Sequence, residues 1–156
     1  MKSPIEVFSE WVSTGKDEGM EKNHAGSVNN MIEFSTNHLD QYSFIDAGCG
    51  NGWVIRALIS DIKCKKAIGV DGSQKMIEKA RKLDDKGEYF CDDLINFIPD
   101  EKVDIVHARS RLPAWLGRLA LSKIKKDKRP IWITTVHGPY SVSAYSKVMM
   151  SGDKII

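Results

Sequence analysis

The sequence predicts an α/β fold, a doubly wound and mostly parallel sheet with helices on both faces, and three features carry that reading. Short apolar runs alternate with helical patterns along most of the 156 residues, as expected when parallel strands are joined by crossover helices. The first run, Ser43 to Asp46, leads into the turn Asp46-Ala47-Gly48-Cys49-Gly50-Asn51-Gly52, which opens a helix at Trp53 and Val54. Glycine belongs where a backbone turns tightly or touches a ligand, because a Cβ would clash at either place. Asp71 follows Asp46 by 25 residues, after a second apolar run, Ala67-Ile68-Gly69-Val70. A carboxylate there can accept both hydroxyls of a ribose.

The elements read in order. Ser3-Pro4-Ile5-Glu6 is a helix start: Ser3 caps, Pro4 takes the first helical position and Glu6 completes a capping box. Val7, Phe8 and Trp11 form its apolar stripe, and the polar, Gly-containing stretch Thr14 to Asn23 reads as a loop. Val28, Met31, Ile32 and Leu39 recur on one helical face and predict a second amphipathic helix from about Ser27. Strand 43–48, helix 52–61, strand 66–71 and helix 74–83 follow, with Ser73 as N-cap of the last. Strands at 88–91 and 103–107, helix 113–125, strand 130–136, helix 142–150 and a stub at 154–156 complete the chain. No repeat, low-complexity stretch or long linker divides it, so residues 1–156 are expected to form a single domain.

A hydrophobic content of 42% suits a core that needs neither disulfide nor metal. The net charge of +2 gives no push toward nucleic acid. Lys63, Lys65 and Lys66, and the run from Lys123 to Arg129, read as solvated helix ends or loops. Three cysteines, an odd number, suggest free thiols in a reducing compartment, with Cys49 and Cys91 packed as small hydrophobes. Neither a C-x-x-C motif nor a His pair at ligand spacing occurs, so no metal is expected. The chain has no long apolar run, which predicts a cytoplasmic protein with no membrane association.

A nicotinamide site calls for G-x-G-x-x-G, whereas these glycines stand at 48, 50 and 52 with Asp46 two residues ahead. The turn resembles motif I of the class I S-adenosylmethionine (SAM) dependent methyltransferases, and Gly69-Val70-Asp71-Gly72-Ser73-Gln74-Lys75-Met76 resembles the segment that follows it in that family. The resemblance covers about residues 5–107. It implies a Rossmann-like fold, SAM as cofactor and methyl transfer to a small-molecule acceptor that the sequence does not identify.

It also implies roles, each with a plainer reading beside it. Asp46 orients the turn or the cofactor's amino group, and Gly48, Gly50 and Gly52 give backbone access to its methionine part; a bare strand-to-helix turn is the alternative. Asp71, with Gly72, takes the ribose, or else caps a helix. Met76 packs on the adenine, or is core. Asp93 and Leu94, after the third strand, meet the adenine amine, Asp92 fitting that position less well, or belong to a plain loop. Met20 and His24 lie in a stretch that folds over the methionine end, or that stays exposed. His24 and His107 are the candidate general bases, since imidazole titrates near neutrality, and a satisfied buried histidine is the plain reading of His107.

From about Asp104 a second resemblance begins. Asp104-Ile105-Val106-His107-Ala108-Arg109-Ser110-Arg111-Leu112-Pro113-Ala114-Trp115 and Thr134-Thr135-Val136-His137-Gly138-Pro139-Tyr140-Ser141 look like the N-terminal domain of a family 4 GT-B glycosyltransferase. The chain thus reads as a chimeric sequence, a SAM-binding part at 1–108 joined to a glycosyltransferase-like segment at 109–156 that completes the sheet. Arg109, Arg111, His137 and Tyr140 are expected to serve no sugar chemistry, because the donor-binding domain of that family is not present in the sequence. The usual C-terminal hairpin of the methyltransferase sheet is replaced as well, which predicts an exposed edge and a homodimer that covers it. A non-catalytic module binding SAM or its demethylated product, and a glycosyltransferase-related fragment, are the two other functions compatible with these motifs.

Overall fold

The computed structural model describes residues 3–109 and 111–135. Its elements run α1 (Pro4–Thr14), α2 (Lys16–Thr36), β1 (Tyr42–Ala47), α3 (Trp53–Ile59), β2 (Cys64–Asp71), α4 (Gln74–Leu83), β3 (Glu88–Cys91), β4 (Ile105–Arg109), α5 (Arg111–Ser122) and β5 (Ile131–Thr135), with a 3-10 turn at Lys126–Lys128. The five strands form one parallel sheet in the order β3-β2-β1-β4-β5. The chain winds outward from β1 to β3, then crosses back to lay β4 against the other side of β1. This places a topological switch point between β1 and β4, at whose carboxyl ends open α/β sheets bind their ligands.

The local signals that lead into this sheet are made by the side chains expected. Ser3 Oγ accepts from the Glu6 amide at 3.3 Å while the Ser3 amide donates to Glu6 Oε2 at 2.6 Å, a complete capping box. Those bonds hold the Glu6 carboxyl below its usual range. Ser73 Oγ accepts from the Met76 amide and starts α4. Phe44, Val54, Ile55, Ile77 and Ile105 are fully enclosed between the sheet and its helices, each worth about 1.5–3 kcal/mol of burial. On the opposite face Ile45, Ile68 and Val70 pack with Leu94, Phe97 and Val103.

Several expectations are corrected. Thr14 to Asn23 is not a loop: Gly15, at φ 69°, ends α1, and α2 begins immediately at Lys16. Polar docking replaces apolar periodicity there, for Asp17 and Glu18 meet Lys79 at 2.7 and 3.0 Å and Glu21 meets Arg56 at 3.3 Å. The fourth strand begins at Ile105 instead of Val103, and the following helix covers Arg111–Ser122 instead of 113–125. Pro113 is accommodated because it lies in the first turn, where its missing N–H costs no intrahelical bond. Lys66 lies within β2 and pairs with Glu101 at 2.9 Å and Glu88 at 3.6 Å, so it is not a helix end. Cys91 is exposed on an edge strand, whereas Cys49 is buried as expected. The predicted helix 142–150, the stub 154–156 and the missing hairpin lie outside the described residues.

Candidate functional site

The turn after β1 is built by backbone conformation. Gly48, Gly50 and Gly52 have φ of 85°, 56° and 76°, the left-handed region that side chains rarely adopt. At Gly52 a Cβ would also lie 2.5 Å from the Tyr89 ring, so glycine is needed there for packing. At Gly50 the same atom would meet nothing within 4 Å, which leaves open space above the turn. The amides of Gly48 and Cys49 both donate to Val70 O, at 2.8 and 3.0 Å, and lock the turn to the end of β2.

Asp71 closes the second side. Its Oδ2 accepts from the Gly50 amide at 2.9 Å and its Oδ1 from the Ser73 amide at 2.8 Å, so one carboxylate holds the glycine turn and the start of α4 together. Burial pushes its carboxyl above the usual range, against the pull of those two amides. Each oxygen retains a further acceptor site. The Asp92 amide donates to Asp71 O at 3.2 Å, which brings the end of β3 alongside. Asp93 is exposed there, accepting from the Ile95 amide at 3.0 Å, and Leu94 is half-buried.

The third side comes from β4 and is made of charge. Asp46 pairs in register with His107, so both side chains lie on one face of the sheet, and Arg109 follows two residues on. Asp46 is fully buried; His107 Nδ1 approaches its Oδ1 to 2.8 Å and Arg109 Nη2 its Oδ2 to 3.2 Å. Burial works to raise the Asp46 carboxyl, but the charges of Arg109 and His107 outweigh it and hold it below the usual carboxylate range. The Arg109 guanidinium lies over the Trp53 ring, 4.8 Å from its centroid. Sequence reasoning did not find Arg109 as part of this site: it read as a motif residue of the second resemblance, and only the β1–β4 register brings it to Asp46.

Asn51 was not singled out either. Its Nδ2 donates to the buried Asp17 Oδ2 at 2.9 Å and its Oδ1 accepts from the Trp53 amide at 3.2 Å, joining α2, the glycine turn and α3. Ser9 and Ser73 hydroxyls meet at 2.8 Å, and Ile5 lies against Gly72, so α1 covers the Asp71 end of the turn. His24 is half-buried on α2, which also carries Met20. Met76 is buried on α4. The Cys49 thiol is pushed well above its usual value, first by burial and then by Asp46 and Asp71, and so stays protonated at neutral pH. A cavity of about 290 Å³ lies along the β2–β3 edge, lined by Lys66, Glu88, Phe90 and Phe97 among others. None of its lining residues belongs to the glycine turn, and the conformation of that turn, not cavity size, marks the site.

A parallel sheet with a glycine turn at its switch point defines the class of α/β proteins that hold a nucleotide-like cofactor over the strand ends. Within that class the chain belongs to the methyltransferase domain family, whose model matches residues 44–126. No curated protein matches it. Among solved structures it is similar to a chain in the complex between the Haloferax volcanii Trm112 methyltransferase activator and the putative methyltransferase, with 27% identity, TM-score 0.54 and coverage of 65% of this chain and 46% of that one. It is similar to the plantazolicin methyltransferase BamL, crystallised with a triazolic desmethylPZN analog and SAH, with 26% identity, TM-score 0.53 and coverage of 64% and 40%. The plantazolicin methyltransferase BpumL in complex with SAH shares the fold, with 21% identity, TM-score 0.59 and coverage of 74% and 49%. The chain therefore spans less than half the length of each of these structures. The family match runs through β4 and α5, past the expected junction near 104–111.

Proposed function

We propose that this chain binds SAM over the carboxyl ends of β1, β2 and β4 and serves as a methyltransferase toward a small-molecule acceptor. The observation that carries the reading is the turn itself: three glycines at positive φ, open space above Gly50, and Asp71 bound to the Gly50 amide. That geometry fits the cofactor, since the cradle is one that side chains would fill or strain, and Asp71 keeps acceptor sites for a ribose diol. The SAH held by BamL and BpumL supports the same cofactor.

SAM supplies an already activated methyl group, so the protein's task is alignment and exclusion of water, not covalent catalysis. Gly48, Gly50 and Gly52 admit the methionine part; Asp71 and Gly72 orient the ribose; Met76, Asp93 and Leu94 bound the adenine end. Met20 and His24, both carried by α2, are assigned to the methionine side by the resemblance, and His24 and His107 are the bases available to an oxygen or nitrogen acceptor. The buried contact of His107 with Asp46 favours His24 as the group that meets an acceptor. Residues 109–156 are taken as a sheet-completing segment of the same domain, of glycosyltransferase-like origin, in which Arg111, His137 and Tyr140 do no sugar chemistry. His137 and Tyr140 lie outside the described residues. Three free cysteines support a cytoplasmic setting, and among the described residues no helix is long and apolar enough to cross a membrane. β5 is an edge strand among the described residues, which supports a homodimer.

Calorimetric titration with SAH, NAD and UDP in parallel tests the reading. SAH is expected to bind and to raise the melting temperature by mass action, and sedimentation of the same sample is expected to show a dimer. Binding of NAD or UDP without SAH would overturn the cofactor, and a monomer at high concentration would overturn the pairing.

A further inference from the structure

The role of Arg109 goes beyond balancing Asp46, and the inference rests on the cofactor reading above. Arg109 is the last residue of β4, and its Cβ lies 3.6 Å from where a Cβ on Gly48 would stand, so the side chain starts beside the part of the turn that admits the cofactor's methionine portion. The inner edge of its guanidinium is committed: Nε and Nη2 are buried, Nη2 faces Asp46 at 3.2 Å, and neither is aligned as a hydrogen bond on an acceptor among the described residues. The Trp53 ring fixes the plane of the group from one side. The side chain nevertheless keeps 16% of its surface exposed, and with Nε and Nη2 buried that exposure lies on the rest of the side chain. With Nε and Nη2 buried, Nη1 is the guanidinium nitrogen left to a ligand, and its N–H groups can make a charge-assisted hydrogen bond to a carboxylate oxygen.

The charges sort the amino-acid portion in the same way. Asp46 is wholly buried and already faces two cationic or cationisable groups, so it offers a ligand's ammonium neither access nor unspent charge. Arg109 is partly accessible and has donors to spare. We propose that Arg109 binds the α-carboxylate of the cofactor's amino-acid portion, held for that task by Asp46 behind it and Trp53 beneath it, and so selects ligands that carry this carboxylate.

The test compares three probes by calorimetry: SAH, its decarboxylated analogue that keeps the amine, and 5′-methylthioadenosine, which lacks the amino-acid portion. Wild type is expected to prefer SAH over the decarboxylated analogue by about tenfold or more, the scale of a charge-assisted hydrogen-bonded pair. Arg109→Gln is expected to remove that preference while leaving 5′-methylthioadenosine within about twofold. Arg109→Lys, whose single ammonium has to serve Asp46 and the ligand at once, is expected to retain only part of the preference. Equal binding of SAH and the decarboxylated analogue by wild type would overturn the proposal even if neither variant folds. So would an equal loss of SAH and 5′-methylthioadenosine in Arg109→Gln, which marks a structural role. If wild type binds none of the three, the cofactor reading itself fails and the proposal with it, an outcome distinct from binding without discrimination.

Discussion

The two sides of the candidate site are held by different physics. On the β1–β2 side the turn is a backbone object: positive φ at Gly48, Gly50 and Gly52, amides shared with Val70 O, and Asp71 accepting from two more amides. On the β4 side it is a charge object, a buried carboxylate between an imidazole and a guanidinium. The first kind of structure is tolerant of its chemical neighbours and intolerant of a single Cβ. The second tolerates changes of shape but not the loss of one charge, because the partner left behind stays in a poorly solvated place.

That contrast predicts a ranking. Asp46→Ala is expected to cost the most, about 3–5 kcal/mol, because it strands the Arg109 charge; urea denaturation at pH 7 measures it. The sign of its pH dependence follows from the lowered folded-state carboxyl. Asp46 contributes stability above the unfolded carboxylate pKa of about 3.9, and that contribution fades as pH falls through the lower, folded value. The gap between wild type and Asp46→Asn is therefore expected to narrow below about pH 4. A gap independent of pH would mean that Asp46 is not the ionised partner of Arg109.

Next comes the backbone side. Gly52→Ala combines left-handed strain of about 1–2 kcal/mol with overpacking against Tyr89 of about 1–3 kcal/mol. Gly50→Ala meets open space and is expected to show the strain alone. If the two variants unfold at the same denaturant concentration, the Tyr89 contact does not constrain the turn. The smallest effect belongs to Glu21→Gln. Its pair with Arg56 is partly exposed on both sides, and its loss is expected to shift stability by no more than about 0.5 kcal/mol in thermal unfolding. A loss several times larger would show that α2 depends on this pair for its docking.

What depends on neighbours along the chain can be read from the residue order alone. The Ser3 capping box, the Ser73 cap, the alternation of strand and helix and the glycine turn all follow from residues within a few positions of one another. Asp71 was legible by its place at the end of the second apolar run, but its bond to the Gly50 amide joins residues far apart in the chain and needs β1 to pair with β2. The first half of α2 was not legible, because Lys16 to Asn23 carries no apolar periodicity. Its helix is held from outside by Lys79, Arg56 and Asn51, whose positions are set by α3, α4 and the turn. The place of Arg109 beside Asp46 was not legible for a related reason. Nothing near it in the sequence tells it from a motif residue of another family, and its chemistry appears only when β4 pairs with β1 and sets His107 opposite Asp46. Local backbone preferences act over one turn and leave their mark in the residue order. A buried charge is satisfied by whichever side chain the strand register delivers, and that register is decided by the packing of the whole sheet.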